Sequence, residues 1–290
     1  MIKWLILIGV ILVLCVAEWM REIFTFKITH YDIVSEKLNT LTEEKKIVFL
    51  TDLHNNSYGK NNEKLLQAIK AQNPDLILIG GDMPIGKPET PVKVAERFVC
   101  QLTGICPVYY ANGNHEQRMK IYPEKFGTKY QDYKTAIEKS GVLFLENKHI
   151  DLMLEHLPVQ IHGLEIPRGA YKKFRKTVVS LGEIEECIGK CDLSKYQILL
   201  AHNPIYADTY LEWGADLVLS GHLHGGVVRL PGVGGIITPQ FRLFPKCSGE
   251  LTVKDGKSVV VSKGLGTHTI KIRFLNPAEV IVLHLQGEKI

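Results

Sequence analysis

The chain has 290 residues, of which 45% are hydrophobic and 23% are charged. This composition is that of a globular protein and excludes collagen-like, low-complexity and wholly disordered chains. The net charge of +4 is too small to indicate nucleic acid as the main partner, and the six unevenly spaced cysteines do not form the framework of a small disulfide-rich domain.

The first twenty residues form a segment of their own, because they contain an uninterrupted apolar run from Trp4 to Ala17. Extended to residues 1–20, the run favours a transmembrane anchor with Trp4 and Trp19 at the two membrane interfaces and Lys3 extending its charge to the water. A cleaved signal sequence ending at Ala17 is the alternative. The anchor predicts a protein held in the cell membrane by a single N-terminal span. The few flanking charges leave open on which side the rest of the chain lies.

Residues 21–45 predict an edge strand, Phe24–Val34, followed by a connector. From residue 46 the pattern changes to short apolar runs, separated at first by two segments of helical periodicity, Asn62–Gln72 and Val92–Leu102. Runs rich in Ile, Leu and Val are typical of strands covered on both faces. We predict such strands at Ile47–Leu50, Leu76–Ile79, Val108–Tyr110, Ile198–Leu200, Leu217–Leu219, Val259–Val261 and Val280–Leu285. The alternation predicts one layered α/β domain over residues 46–290.

Polar residues able to bind a metal follow the first five of these strands. Strands joined by right-handed crossovers place their carboxyl ends at one edge of a sheet, which is where ligands bind. We therefore expect one cleft to gather Asp52, His54, Asp82, Asn114, His202, His222 and His224. Each motif alone is also common as a turn or as a histidine of the core. Five such motifs, each directly after a predicted strand, indicate a metal site.

The chemistry of these side chains predicts two divalent metal ions. Imidazole and carboxylate ligands suit Mn, Fe and Zn, and the absence of thiolates argues against a cysteine-based structural zinc site. Seven ligands are more than one tetrahedral ion can bind, and they fit two ions if one carboxylate bridges them. Two neighbouring ions stabilise the attacking and leaving oxygens of a phosphoryl displacement and generate hydroxide at neutral pH.

The same motifs resemble those of the calcineurin-like metallophosphoesterases, in the same order, from residue 46 to about residue 285. They are Asp52-Leu-His54, Gly81-Asp82, Gly113-Asn-His-Glu116, the single His202, and Gly221-His-Leu-His224. Within this family, a bacterial, membrane-associated branch is most similar to the sequence. Gly221–Gly226, Lys263–Gly266 and Arg273–Pro277 carry that likeness, and the apolar N-terminus fits it. The resemblance implies a layered β-sandwich-type fold with flanking helices, preceded by one membrane helix.

The resemblance also implies a role for each site residue. One metal would be held by Asp52, His54 and His224, and the other by Asn114, His202 and His222, with Asp82 bridging them. His115 would act as the catalytic group beside the leaving oxygen, and Glu116 would support the ligands without binding metal. Metal-bound hydroxide would attack the phosphorus of a phosphodiester, pyrophosphate or phosphomonoester.

Two positions depart from the family pattern. Ile85 stands where the family has a second aspartate, which in many members orients the catalytic histidine, so we expect His115 to lack that partner. Val227 stands where glutamine is more usual in the family, and we expect this difference to affect contacts with the substrate.

Basic residues outside the motifs are candidates for substrate binding. Arg118 and Lys120 begin a basic and aromatic stretch that we expect at the rim of the cleft. The segment Arg168–Lys176 is either a patch for anionic groups or a solvated helical face, and His268 is a further residue that could approach the cleft.

The function predicted from the sequence is that of a membrane-tethered phosphohydrolase. Its partners would be a phosphate-ester substrate and, through the N-terminal helix, the membrane, so a lipid-linked substrate is plausible. A dimetal nuclease is disfavoured by the small net charge. A non-catalytic scaffold with a residual metal pocket is the other alternative, and metal content separates it from the enzymes.

Overall fold

A computed structural model describes residues 2–172, 177–226, 228–230, 232–237, 244, 245, 247–267 and 272–288. The strands of these residues are β1 (Phe26–Val34), β2 (Lys45–Leu50), β3 (Leu76–Ile79), β4 (Val108–Tyr110), β5 (Leu143–Phe144), β6 (Lys148–Leu154), β7 (Leu157–Leu164), β8 (Tyr196–Ala201), β9 (Leu217–Ser220), β10 (Arg229–Leu230), β11 (Gly234–Gly235), β12 (Leu251–Lys254), β13 (Lys257–Val261) and β14 (Ala278–Gln286). The α-helices are α1 (Ile2–Phe24), α2 (Glu63–Lys70), α3 (Lys93–Leu102), α4 (Asn114–Ile121), α5 (Pro123–Phe126), α6 (Lys129–Lys139), α7 (Leu181–Ile188) and α8 (Ala207–Trp213).

The strands form two six-stranded sheets and a small β10–β11 hairpin. The first sheet has the order β1-β14-β2-β3-β4-β5, and the second has the order β12-β13-β9-β8-β7-β6. Strands β2, β3, β4 and β5 run parallel, as do β13, β9, β8 and β7. The seven strands predicted from residue 46 onward all form, with ends that extend by up to two residues.

The predicted edge strand also forms, as β1, but it begins at Phe26 and not at Phe24, because α1 continues to Phe24. It pairs in parallel with β14 from Phe26 beside Ala278 to Val34 beside Gln286. This pairing joins the residues that precede residue 46 to the same sheet as β2, since β14 lies between them. The division of the chain at residue 45 stays a prediction.

The two sheets pack face to face, and helices cover both outer faces. In β2, Ile47 and Phe49 lie in the core between the sheets, while Val48 and Leu50 pack on the side of α2, α3 and α6. This alternation is the two-residue period of a strand, and all four residues are buried because both faces are covered. Strand β8 alternates in the same way, with α7 and α8 on its outer side. The layers confirm the predicted α/β sandwich with flanking helices.

Helix α1 precedes the sheets and is apolar on all sides from Trp4 to Ala17. Its 23 residues have a mean hydropathy of 2.2 over their most apolar window, and that window has no buried residue. A helix of this size is roughly 34 Å long, enough to cross the hydrocarbon layer of a membrane. A signal sequence has the same properties.

Candidate metal centre

The seven predicted ligands all lie at the carboxyl ends of strands, and they come from both sheets. Asp52 and Asp82 follow β2 and β3 of the first sheet, and Asn114 follows β4. His202 and His222 follow β8 and β9 of the second sheet. The two aspartates and all the candidate histidine ligands are buried.

The backbone at these strand ends is strained. Five of the seven residues have a positive φ, which side chains other than glycine rarely adopt: Asp52 (53°), His54 (46°), Asp82 (54°), His222 (66°) and His224 (51°). Such conformations persist only where the surrounding structure imposes them, and they cluster at functional sites.

Two glycines let the loops approach closely enough to bring the ligands together. Gly81 has a φ of 88°, and a Cβ at this position would lie 2.0 Å from the backbone nitrogen of Gly113. A Cβ at Gly221 would lie 2.2 Å from Oδ2 of Asp52. Only glycine fits at these two positions, so the G-D and G-H motifs have a steric basis.

The first group of ligand atoms consists of Asp52, His54 and His224. The Nε2 atoms of His224 and His54 lie 3.2 and 3.5 Å from Oδ1 of Asp52. The two imidazole Nε2 atoms lie 3.1 Å from each other. One ion could be bound by all three side chains.

The second group consists of Asp82, His202 and His222. Nε2 of His202 lies 3.1 Å from Oδ2 of Asp82, and the same carboxylate oxygen lies 3.9 Å from Nε2 of His54. Asp82 is therefore within reach of both groups, as a bridging ligand must be. Nearby, Oδ1 of Asn114 is buried and has no hydrogen-bond partner among the described residues. An orphaned amide oxygen of this kind fits a metal ligand.

Hydrogen bonds orient both carboxylates and one imidazole. Oδ2 of Asp52 accepts from the hydroxyl of Thr51 and from the backbone N–H of His222, which leaves Oδ1 among the imidazoles. Oδ1 of Asp82 accepts from the backbone N–H of His115 at 2.7 Å, which leaves Oδ2 for the site. Nδ1 of His202 lies 2.7 Å from the carbonyl of Gly80; donation to this oxygen leaves Nε2 as the ligand atom.

The histidines around the two buried carboxylates lower the pKa of both. Burial alone raises the pKa of Asp52, but the neighbouring His224 and His202 outweigh it and hold the pKa well below its usual range. Burial likewise raises the pKa of Asp82, and His202 and His115 outweigh it with the same result. Two buried carboxylates that stay ionised suit divalent cations.

Glu116 joins the loops that carry the ligands. Its Oε2 accepts from the backbone N–H groups of Asp82 and Gly113, and its Oε1 accepts from Met83 and from the hydroxyl of Tyr110. Burial, followed by the charge of Asp82, raises the pKa of Glu116 to about 7. These bonds use both carboxylate oxygens to hold the loops together, and the supporting role expected for Glu116 stays a prediction.

His115 borders the centre without the aspartate partner of the family. Its Nε2 lies 3.9 Å from Oδ2 of Asp82. Its Nδ1 accepts from the backbone N–H of Gly86 at 2.7 Å, so the neutral ring carries its proton on Nε2. The loop that contains Ile85 thus orients His115 through its backbone. The sequence contained no signal for this contact, because any residue except proline supplies an N–H.

The basic residues expected near the cleft differ in whether a carboxylate already neutralises their charge. Arg118 and Lys120 are both exposed, and Lys120 forms ion pairs with Glu165 at 2.8 Å and with Glu146 at 3.2 Å. Arg168 follows β7, lies over the ring of Tyr122 and donates to the carbonyl of Asn114 at 3.3 Å. Among the described residues, no carboxylate forms an ion pair with Arg168.

Three features singled out in the sequence lie outside the described residues. They are the second half of the basic segment, residues 173–176, together with Val227 and His268.

The segments Lys263–Gly266 and Arg273–Pro277 brace the metal loops. The guanidinium of Arg273 donates to the carbonyls of Lys263, Gly264 and Gly266. The side-chain amide of Asn276 donates to the carbonyl of His224 at 2.7 Å. The sequence marked both segments as part of the resemblance, but their role depends on contacts between distant parts of the chain.

This arrangement, with buried aspartates and histidines at the strand ends of a two-sheet sandwich, is that of a metal-dependent hydrolase. The family model described as calcineurin-like phosphoesterase matches residues 45–226, and the chain belongs to that family. It is therefore a metal-dependent phosphoric ester hydrolase, and the members of its family use a centre of two metal ions.

Relatives in bacteria support the assignment. An uncharacterized metallophosphoesterase of Aquifex aeolicus is 26% identical over 92% of this chain and 94% of its own length. A second, from Campylobacter jejuni, is 29% identical over 88% of this chain and 63% of its own length. Among solved structures, the phosphopantetheinyl hydrolase of Mycobacterium tuberculosis aligns with a TM-score of 0.46 at 15% identity, covering 76% of this chain and 89% of that one.

Proposed function

We propose that this protein is a membrane-tethered, two-metal phosphohydrolase that cleaves a phosphodiester, pyrophosphate or phosphomonoester of a lipid-linked substrate. The convergence of two Asp/His groups on Asp82 supports the two-metal site most directly. The length and hydropathy of α1 support the tether. The small net charge of +4 disfavours a nuclease.

The donor set fits two ions of Mn, Fe or Zn. We assign one ion to Asp52, His54 and His224, and the other to Asn114, His202 and His222, with Asp82 bridging. Two such ions lower the pKa of a bound water and stabilise the charge that develops on phosphate oxygens. The aspartates offset the positive charge only in part, so the loaded centre attracts an anionic phosphate.

Two residues of the chain would act on the substrate itself. His115 presents Nε2–H towards the centre and would donate a hydrogen bond from it to the leaving oxygen, stabilising the negative charge that develops there. Arg168, beside Asn114 and without an acidic partner among the described residues, would bind a non-bridging phosphate oxygen.

The test is hydrolysis by the full chain after chelation and return of Mn, Fe or Zn, with phosphodiesters that differ only in leaving group. We expect metal-dependent turnover, and we expect His115→Ala to keep its metal while slowing the esters of poor leaving groups most. Equal slowing of all esters would contradict a hydrogen bond from His115 to the leaving oxygen. Metal-dependent cleavage of DNA in preference to these esters would favour the nuclease instead.

A further inference from the structure

A cavity of about 270 Å³ lies between the C-terminal end of α1 and the loops of the metal centre. One wall consists of Trp19, Met20 and Ile23 in the last two turns of the helix, and the other includes Tyr58 and Leu265. The lining is mostly apolar. An apolar protein cavity of about 150 Å³ already holds a benzene molecule, so this one has room for a segment of hydrocarbon chain.

The cavity and the metal centre share a loop. The backbone N–H of Gly266, a lining residue, donates to the carbonyl of Asp52 at 2.6 Å, and that of Leu265 donates to the carbonyl of Thr51 at 3.1 Å. The hydroxyl of Tyr58 donates to the carbonyl of Leu265. The wall of the cavity is thus a single layer of backbone away from a candidate metal ligand.

A buried carboxylate holds α1 against this loop region. Glu22 is 1% exposed, and it accepts from the backbone N–H of Asn276 at 2.9 Å. The side chain of Asn276 in turn donates to the carbonyl of His224. The end of the apolar helix therefore has a fixed position relative to the candidate ligands, so the cavity is part of the folded structure.

The position of the cavity along α1 identifies its occupant. Trp19 is a residue type that prefers the membrane interface, and the charged pair Glu18 and Arg21 lies at the same level. In a bilayer, a lipid phosphoester has its phosphate at this level. Because Met20 and Ile23 lie on the domain side of Trp19, a hydrocarbon chain that leaves the bilayer beside α1 meets this apolar lining.

We propose that the cavity binds one hydrocarbon chain of the substrate, so that the substrate is an amphiphilic phosphoester taken from the membrane. This inference rests on the proposed function, since the phosphate of such a molecule must reach the metal centre while its chain occupies the cavity. Trp19, Ile23 and Leu265 then select the substrate through its chain.

The experiment uses the full chain in phosphatidylcholine nanodiscs with Mn²⁺, comparing dodecyl and ethyl esters of p-nitrophenyl phosphate. Ile23→Trp fills the cavity, and Val16→Trp places the same side chain at an exposed position of α1 outside it. Because each buried methylene strengthens binding several-fold, we expect Ile23→Trp to lower the dodecyl-to-ethyl ratio of kcat/KM about tenfold. Val16→Trp keeps the ratio, since both variants have the same access to the bilayer.

A second readout does not depend on turnover. Dodecyl phosphate with a terminal diazirine is crosslinked to the protein, and the labelled peptides are identified by mass spectrometry. We expect label on the peptides of Tyr58 or Leu265, lost in Ile23→Trp and kept in Val16→Trp. Label confined to α1, with an unchanged ester ratio in Ile23→Trp, would refute the cavity alone. Label at Tyr58 without hydrolysis of either ester would refute the proposed hydrolase activity. The bound hydrocarbon chain would then not belong to a substrate.

Discussion

At the scale of single residues, the environment of His115 differs most from the family pattern. Ile85 removes the usual carboxylate, and the backbone N–H of Gly86 occupies Nδ1 instead. A donor at Nδ1 leaves no ring N–H there for a carboxylate to accept. The ring is oriented, but it is oriented as a neutral donor through Nε2.

The contact between Gly86 and His115 predicts how Ile85→Asp affects kcat. Restoring the family residue does not raise kcat, because the new carboxylate finds Nδ1 already used as an acceptor. The measurement is kcat for a phosphodiester at neutral pH, with equal Mn²⁺ content in both proteins. An increase of about tenfold or more would show that a carboxylate can still activate His115.

Arg168 is the rim residue that we expect to matter for substrate binding. Arg168→Gln raises KM about 10- to 100-fold, the loss typical of one charge-assisted hydrogen bond, and leaves metal content unchanged. Arg118→Gln, at an exposed position of the same rim, is the matched control and has a smaller effect. Equal values of KM for wild type and Arg168→Gln would show that Arg168 does not bind the substrate.

At the scale of elements, the turns after the strands depend on close backbone contact. Gly81→Ala places a Cβ 2.0 Å from the nitrogen of Gly113 and requires alanine at a φ of 88°. We expect it to lower the free energy of unfolding by more than about 1 kcal/mol and to reduce metal binding.

Denaturant unfolding and metal analysis measure both effects of Gly81→Ala. Gly182→Ala in α7 is the control, because a Cβ there meets nothing within 4 Å. It is expected to be neutral or stabilising by about 0.5–1 kcal/mol. If the two variants behaved alike, the close approach of the two loops would be wrong.

The elements that the sequence predicted are those with the strongest local signal. Strands β3 and β4 begin and end as predicted, because each is an apolar run buried on both faces. The sequence pattern does not predict the β6–β7 hairpin, because β6 is largely exposed and the buried strand β7 contains Pro158, Gln160 and His162 among its apolar residues. The metal ligands could be placed at strand ends from the motifs, but the links through Gly86 and Asn276 depend on tertiary contacts that local patterns do not contain.

At the scale of the whole molecule, the site exists only when both sheets are packed. Asp52 and Asp82 come from the first sheet, and His202 and His222 come from the second. Ions that bind across the two sheets stabilise the folded state and not the unfolded chain.

This coupling makes a prediction for metal removal. Chelation lowers Tm, because ions present at about 1,000 times their Kd contribute about 4 kcal/mol to stability. Thermal unfolding with and without chelator measures the difference. Asp82→Asn, whose site is impaired from the start, shows a smaller shift. An unchanged Tm in the wild-type protein would mean that no ion bridges the sheets.

The most direct test of the two-metal centre is the number of Mn²⁺ ions bound per chain in wild type and in Asp82→Asn, by elemental analysis after chelation and reloading. The asparagine keeps an oxygen for the backbone N–H of His115 and removes the charge between the two groups. We predict two ions in wild type, with fewer than two and loss of hydrolysis in the variant. Two ions and full turnover in Asp82→Asn, or no ion in wild type, would contradict the account.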